Sequence, residues 1–224
     1  MKVMLLAAGR GERLRPLTDT IPKPLLTVGA QTLIERHLMR LAEAGLREVV
    51  INTAHLGAQL IERLGDGTDY GVRIQWSPEP PGALDTGGGI AHAWPLLGHG
   101  PWVVVSSDVY TDYDFRSLPD RLDGLAHLVL VDNPPHHPDG DFQLYGDRAG
   151  LARADATNLT YSGISVLRPE LFSECDATRF PLAPLLRLAA MQGLVTAEHH
   201  RGVWLDVGTP ERLAAARALA VRRA

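Results

Sequence analysis

Short apolar runs alternate along this chain with segments whose apolar residues recur every three or four positions. The first pattern predicts strands at 2–7, 47–53, 72–76, 102–106, 126–132, 161–168 and 195–199. The second predicts helices at 31–44, 56–64, 87–97, 182–192 and 210–222. In the first of these, Leu33, Ile34, Leu38, Leu41 and Ala42 recur at helical spacing, and Gly45 supplies the C-terminal stop. Val103-Val104-Val105 and Leu128-Val129-Leu130-Val131 show no polar alternation, as expected of strands covered on both faces. Alternating strands and helices predict an α/β fold, a three-layer α/β/α Rossmann-like arrangement around a mostly parallel sheet.

Residues 133–160 break that rhythm with Asn133-Pro134-Pro135, His136-His137, Gly140-Asp141 and short apolar pieces. They read as a small insertion containing a hairpin that forms one wall of a substrate pocket. With no internal repeat and no linker rich in Gly, Ser or Pro, a single domain over 1–224 is expected.

Charge and composition narrow the function classes. The net charge of -4 argues against a broad nucleic-acid surface. No apolar run approaches the ~20 residues that span a bilayer. The N-terminal apolar stretch stops at Arg10 without a cleavage pattern, so the expected location is cytoplasmic. Cys175 is the only cysteine, which excludes an internal disulfide and a cysteine metal cluster. Small-molecule substrates are expected, and no membrane, nucleic acid or obligate protein partner.

The candidate chemistry starts where the first strand empties into Gly9-Arg10-Gly11-Glu12-Arg13, followed by Pro22-Lys23-Pro24. A bare glycine turn after a strand offers backbone N–H groups to phosphate oxygens. From Lys2 to Lys23 there are five basic residues against Glu12 and Asp19, which puts the positive field at the turn. The chain uses arginine for nearly all its positive charge; Lys2 and Lys23 are its only lysines. A lysine held between two prolines suggests a compact, placed point charge.

A second element, Val103-Val104-Val105-Ser106-Ser107-Asp108, ends a buried strand in a carboxylate. Open α/β sheets bind ligands at such strand ends, and Mg²⁺ takes one or two carboxylates plus phosphate oxygens. Asp206, in Trp204-Leu205-Asp206-Val207-Gly208, is the natural second ligand. Asp112 and Asp114 read as loop and helix-cap residues.

Leu6-Ala7-Ala8-Gly9-x-Gly11-x-Arg13-Leu14-x-Pro16-Leu17-Thr18, with Pro22-Lys23-Pro24-Leu25, resembles the signature of the sugar-phosphate nucleotidylyltransferases. The resemblance implies an α/β/α nucleotide-binding domain that joins a nucleoside triphosphate to a sugar 1-phosphate and releases pyrophosphate. It implies that Arg13 and Lys23 hold the triphosphate and, with Asp108, carry the catalysis. Ala7, Gly9, Gly11 and Glu12 would meet the nucleotide, and Glu79 and Gly88, near Thr86-Gly87-Gly88-Gly89, would read the base. Asp108 and Asp206 would bind Mg²⁺.

Val131-Asp132-Asn133-Pro134, Gly140-Asp141-Phe142 and Tyr161-Ser162-Gly163-Ile164 resemble the branch of the family that transfers UMP from UTP to N-acetylmuramic acid 1-phosphate, a salvaged bacterial cell-wall sugar. In that reading Ser106, Asp141, Asn158 and Gly163 contact the sugar, and His136 and His137 serve loop packing or capping. Related enzymes commonly carry Asn-Gly where this chain has Ser106-Ser107, and the shorter serine bears on sugar preference. Two alternatives stand beside this reading. One is guanylyl-, thymidylyl- or cytidylyl transfer to another sugar or alcohol phosphate. The other is a non-catalytic nucleotide or sugar-phosphate sensor, against which the presence of Lys23, Asp108 and Asp206 argues.

Overall fold

Four strands open the fold and run parallel in the order β3-β2-β1-β4: β1 (Lys2–Leu6), β2 (Glu48–Thr53), β3 (Arg73–Pro78) and β4 (Trp102–Ser106). The structure, a computed structural model, describes residues 1–154 and 156–222. Successive side chains of a strand face opposite ways, so an uninterrupted apolar run feeds two cores. Val3 and Leu5 pack with α1 (Leu33–Glu43) and α2 (Gly57–Leu64), while Met4 packs with α3 (Asp85–Leu97) on the other side. This gives three layers. Helix α1 starts at residue 33, not 31, because Thr32 caps it: its Oγ1 accepts from Glu35 N at 3.3 Å, and Glu35 Oε2 accepts from Thr32 N at 2.9 Å.

Beyond β4 the chain adds β5 (Val109–Thr111), β6 (Ala126–Val131), β7 (Phe142–Tyr145), β8 (Arg148–Leu151) and β9 (Asn158–Leu167). It ends with α4 (Ala183–Met191), β10 (Val195–His199), β11 (Trp204–Asp206) and α5 (Pro210–Arg222). The nine-stranded sheet continues from β4 as β9-β6-β10-β8-β7. All seven predicted strands form. Six of them share one direction, and β9 alone is reversed, pairing antiparallel with both β4 and β6.

The insertion at 133–160 contains the expected hairpin, β7–β8. Its strand β7 also pairs with the start of β9, at Asn158↔Gln143 and Leu159↔Phe142. The pairings β9-β6-β10-β8-β7 therefore return to β9 and close a circuit around Phe142, Leu128, Leu130 and Ala149. The short antiparallel pair β5–β11 lies apart from the main sheet and was not visible in the apolar pattern. No helix among the described residues is long and apolar enough to cross a membrane.

Candidate active site

The glycine loop follows β1 directly and lines a cavity with Ala7, Ala8, Gly9, Gly11, Lys23, Asn52, Glu79 and Asp108. Gly11 has φ of 70°, in the left-handed region that favours glycine. A Cβ there would stand 2.9 Å from Thr18 Cγ2 and 3.3 Å from Lys23 Cβ. Leaving it out lets the Pro22-Lys23-Pro24 segment close on the loop. Gly9 has open space where its side chain would be, so its backbone is approachable from the cavity.

Asn52, a buried residue that the sequence reading passed over, ties this loop to the far wall. Its Oδ1 accepts from Ala7 N at 2.7 Å and its Nδ2 donates to Glu79 Oε1 at 2.6 Å. Glu79 Oε2 accepts from Leu84 N at 2.7 Å. Glu79 is thus held by both oxygens at the cavity wall. Each oxygen still has a lone pair for a ligand.

The glycine cluster at 87–89 serves a different purpose from the one expected. Gly87 N and Gly88 N both donate to Phe180 O at 3.0 Å, and a Cβ on Gly88 would overlap Thr178 O. The expectation that Gly88 reads the base is corrected: its amide is spent on its own chain, and it does not line the cavity. Gly89 is the member facing Asn52 and Glu79. Glu12 is corrected likewise. It lies outside the cavity wall and pairs with Arg10 Nε at 3.4 Å and Arg15 Nη1 at 3.5 Å.

Those pairs also thin the positive field. Asp19 takes Arg10 and Arg15, and Lys2 donates to Leu96 O at the opposite end of β1. The cations left near the loop are Arg13 and Lys23. Arg13 forms no ion pair among the described residues. Lys23, largely buried, forms an ion pair with Asp108 Oδ2.

A second cavity adjoins the first, and Leu6, Thr86, Ser106 and Asp108 line both. Its further walls are Arg13, Asp206, His136, His137, Tyr161 and Gly163, with Trp204 at the side. Gly163 has φ of 82° and sits in the β9 bulge between Tyr161 and Ile164. Trp204 Nε1 fastens the bulge to Ser162 O at 2.9 Å. Burial pushes the Tyr161 phenol up, so it stays protonated and hydrogen-bonds Ser165.

The pair β5–β11 brings the two predicted carboxylates together. Asp206 lies opposite Val109, and Val207 N donates to Asp108 O at 2.8 Å. From behind, His37 Nε2 donates to Val109 O at 2.7 Å; burial lowers this imidazole to about 4, so it is neutral. Asp206 accepts from Arg212 Nη1 at 2.8 Å and lies 3.1 Å from His136 Nε2. His137 Nε2 is 3.2 Å from Asp141, which also accepts from Tyr161 N at 2.9 Å. Both histidines line the second cavity, each beside an aspartate, and His137 N also closes the loop on Pro134 O at 2.9 Å. Asp141 supports that wall from behind.

Asn158 is corrected too. It accepts from Arg153 N at 3.0 Å and donates to Asp139 O at 2.9 Å, which fixes the hairpin loop away from this cavity. Ser107 buries its hydroxyl against Leu6 O, leaving Ser106 as the serine on the shared wall. Asp112 accepts from Val203 N at 2.7 Å and Asp114 from Arg116 N at 3.1 Å, in agreement with loop and cap roles.

Asp108 and Asp206 fit a hard divalent cation. Both carboxylates line the second cavity, Asp108 paired with Lys23 and Asp206 with Arg212. Phosphate oxygens and water would complete the shell.

Comparison with known proteins gives the family and the fold. The family model for nucleotidyl transferases matches residues 2–142. An N-acetylmuramate alpha-1-phosphate uridylyltransferase from Neisseria meningitidis serogroup B is 53% identical, covering 98% of each chain. One from Caulobacter vibrioides is 34% identical over 96% of this chain and 95% of its own. Among solved structures, a Bacillus anthracis chain assigned as a glucose-1-phosphate thymidylyltransferase superposes with a TM-score of 0.86 over 98% of this chain and 95% of its own; at 22% identity it speaks for the fold alone.

Proposed function

The chain belongs to the nucleotidyl transferase family, and from that premise we propose that it transfers UMP from UTP to N-acetylmuramic acid 1-phosphate, releasing pyrophosphate. The observation that carries the reading is the Lys23–Asp108 pair at the junction of two adjoining cavities. One cavity starts at a phosphate-binding type of loop, the other is walled by the insertion and the β9 bulge. The reacting phosphorus belongs at the junction.

In this mechanism a phosphate oxygen of the sugar 1-phosphate attacks the α-phosphorus in line. A new P–O bond forms and the bond to the bridging oxygen breaks, so the electron pair leaves with pyrophosphate. A phosphate monoester has a second pKa near ~6, and the nucleophile is already ionised at neutral pH. No protein base is needed. The backbone of Ala7, Gly9 and Gly11 cradles the nucleotide, and Arg13 and Lys23 stabilise the charge that moves onto the leaving group. Glu79, immobilised by Asn52 and Leu84, accepts the N3–H of uracil. Ser106 and the Gly163 bulge bound the sugar, and Asp141 holds His137 and Tyr161 against it. Asp108 and Asp206 would hold Mg²⁺, which supplies Lewis-acid stabilisation of phosphoryl charge and a template for the two anions. The reaction belongs to the cytoplasm, where it would return a cell-wall sugar to the precursor pool.

The test is pyrophosphate release over a grid of nucleoside triphosphates and sugar 1-phosphates. UTP with N-acetylmuramic acid 1-phosphate is expected to be the best pair. A different best pair would overturn the substrate assignment, and full activity in excess EDTA would remove the divalent cation.

A further inference from the structure

Arg212, the partner of Asp206, has no part in the transfer step itself. It stands in the first turn of α5, beside Asp206, with its side chain 12% exposed. A guanidinium carries five N–H donors on three nitrogens. Here a single nitrogen, Nη1, serves both Asp206 oxygens, at 2.8 and 2.7 Å, and also meets His136. Its Nε is buried without a hydrogen-bond partner. Its Nη2 is at the Gly208 backbone, where a Cβ would overlap it and would stand 2.9 Å from Arg13 Nη2. Two guanidinium groups thus converge on one glycine, Arg212 paired with Asp206 and Arg13 in no ion pair among the described residues. Like charges this close repel unless an anion bridges them.

We propose that Arg13 and Arg212 form a two-arginine clamp for the pyrophosphate end of the triphosphate, and that Asp206 holds Arg212 off until a divalent cation takes that carboxylate. Pyrophosphate is favoured over the acceptor's phosphate because Arg13 rises from the glycine loop, where the triphosphate chain lies. Arg212 shares its corner. The cation and Arg212 compete for Asp206, so loading the cation releases the second arginine to the anion. The clamp therefore assembles only when the cation is present. This inference rests on the nucleotidyl-transfer reading for the identity of its anion.

Calorimetric titrations with Mn²⁺ alone, and with inorganic pyrophosphate at saturating Mn²⁺, test it on the intact protein. R212Q removes the competing cation, so it should bind Mn²⁺ more tightly, by about threefold or more. The same variant should bind pyrophosphate about ten- to a hundredfold more weakly, the range for a hydrogen bond between charged groups. R212K should keep most of the competition for Asp206 but recover little of the pyrophosphate affinity, because lysine lacks the fork. Opposite signs for the two ligands are the signature. Weakened Mn²⁺ binding in R212Q would make Arg212 a support for Asp206 and overturn the clamp, as would unchanged pyrophosphate binding in both variants. A raised KM for the sugar 1-phosphate with unchanged pyrophosphate binding would move Arg212 to the acceptor and also overturn it. The titrations contain neither nucleotide nor sugar, so a wrong substrate assignment leaves their result readable.

Discussion

Replacing Asn52 by leucine is the sharpest probe of how the nucleotide loop is held. The side chain is nearly isosteric and buried, so the change removes hydrogen bonds with little loss of volume. It strands the buried Ala7 N–H, at a cost of about 1–3 kcal/mol, and takes a donor from the Glu79 carboxylate, worth about 1.5–3 kcal/mol. Part is offset by the added apolar surface, leaving a loss on the order of 3 kcal/mol. A domain of this size loses about 2–4 °C of Tm per kcal/mol, so N52L should melt about 6–12 °C lower. With Ala7 and Glu79 no longer tied, KM for UTP should rise about tenfold while KM for the sugar 1-phosphate moves less than about twofold. N52D separates hydrogen bonding from charge. It keeps an acceptor for Ala7 N but sets a second carboxyl against Glu79 Oε1, which Asn52 now touches at 2.6 Å. Two carboxylates at that distance repel, so N52D should melt below the parent at neutral pH. Differential scanning calorimetry and initial rates decide the matter. An N52L protein that melts within about 2 °C of the parent, with the same KM for UTP, would refute the idea that this asparagine holds the loop.

Lys23→Ala should cut kcat by about a hundredfold or more with the melting temperature almost unchanged; near-native turnover would take the lysine out of the reaction. Gly163→Ala sets a Cβ 2.8 Å from Ser106 Oγ at a φ of 82°, so it should raise KM for the sugar 1-phosphate and spare KM for UTP. His37 has its folded pKa lowered to about 4 from 6.5, so the stability it gives is complete above pH 6.5 and is lost as pH falls through 6.5 towards 4. The loss amounts to about 3 kcal/mol, and H37Q, which keeps a donor for Val109 O, should show a flatter acid limb in pH-dependent calorimetry.

Every long element was legible in the apolar pattern, the central strands as uninterrupted Val, Ile and Leu and the helices as apolar residues three or four apart. Lys23 and Asp108 stood out for other reasons, the lysine as one of two in the chain and held between prolines, the aspartate as a carboxylate ending a buried strand. The pair β5–β11 was not legible, since three-residue strands carry no period. Asn52 was hidden as one polar residue near the end of an apolar strand. Arg212 was hidden among the arginines of an Ala/Arg-rich helix, where a charge ordinarily means a solvated face. The glycine cluster at 87–89 misled because a close approach by Phe180 and Thr178 leaves the same mark in sequence as one by a ligand.

Four residues, Leu6, Thr86, Ser106 and Asp108, are party walls shared by both chambers. Nobody altering one of them can retune the choice of acceptor without disturbing the donor as well. Residues 134, 136, 137 and 160–163 belong to one chamber only. On the proposed assignment of the chambers, a library confined to that side would explore new sugars while uridine handling stays as it was.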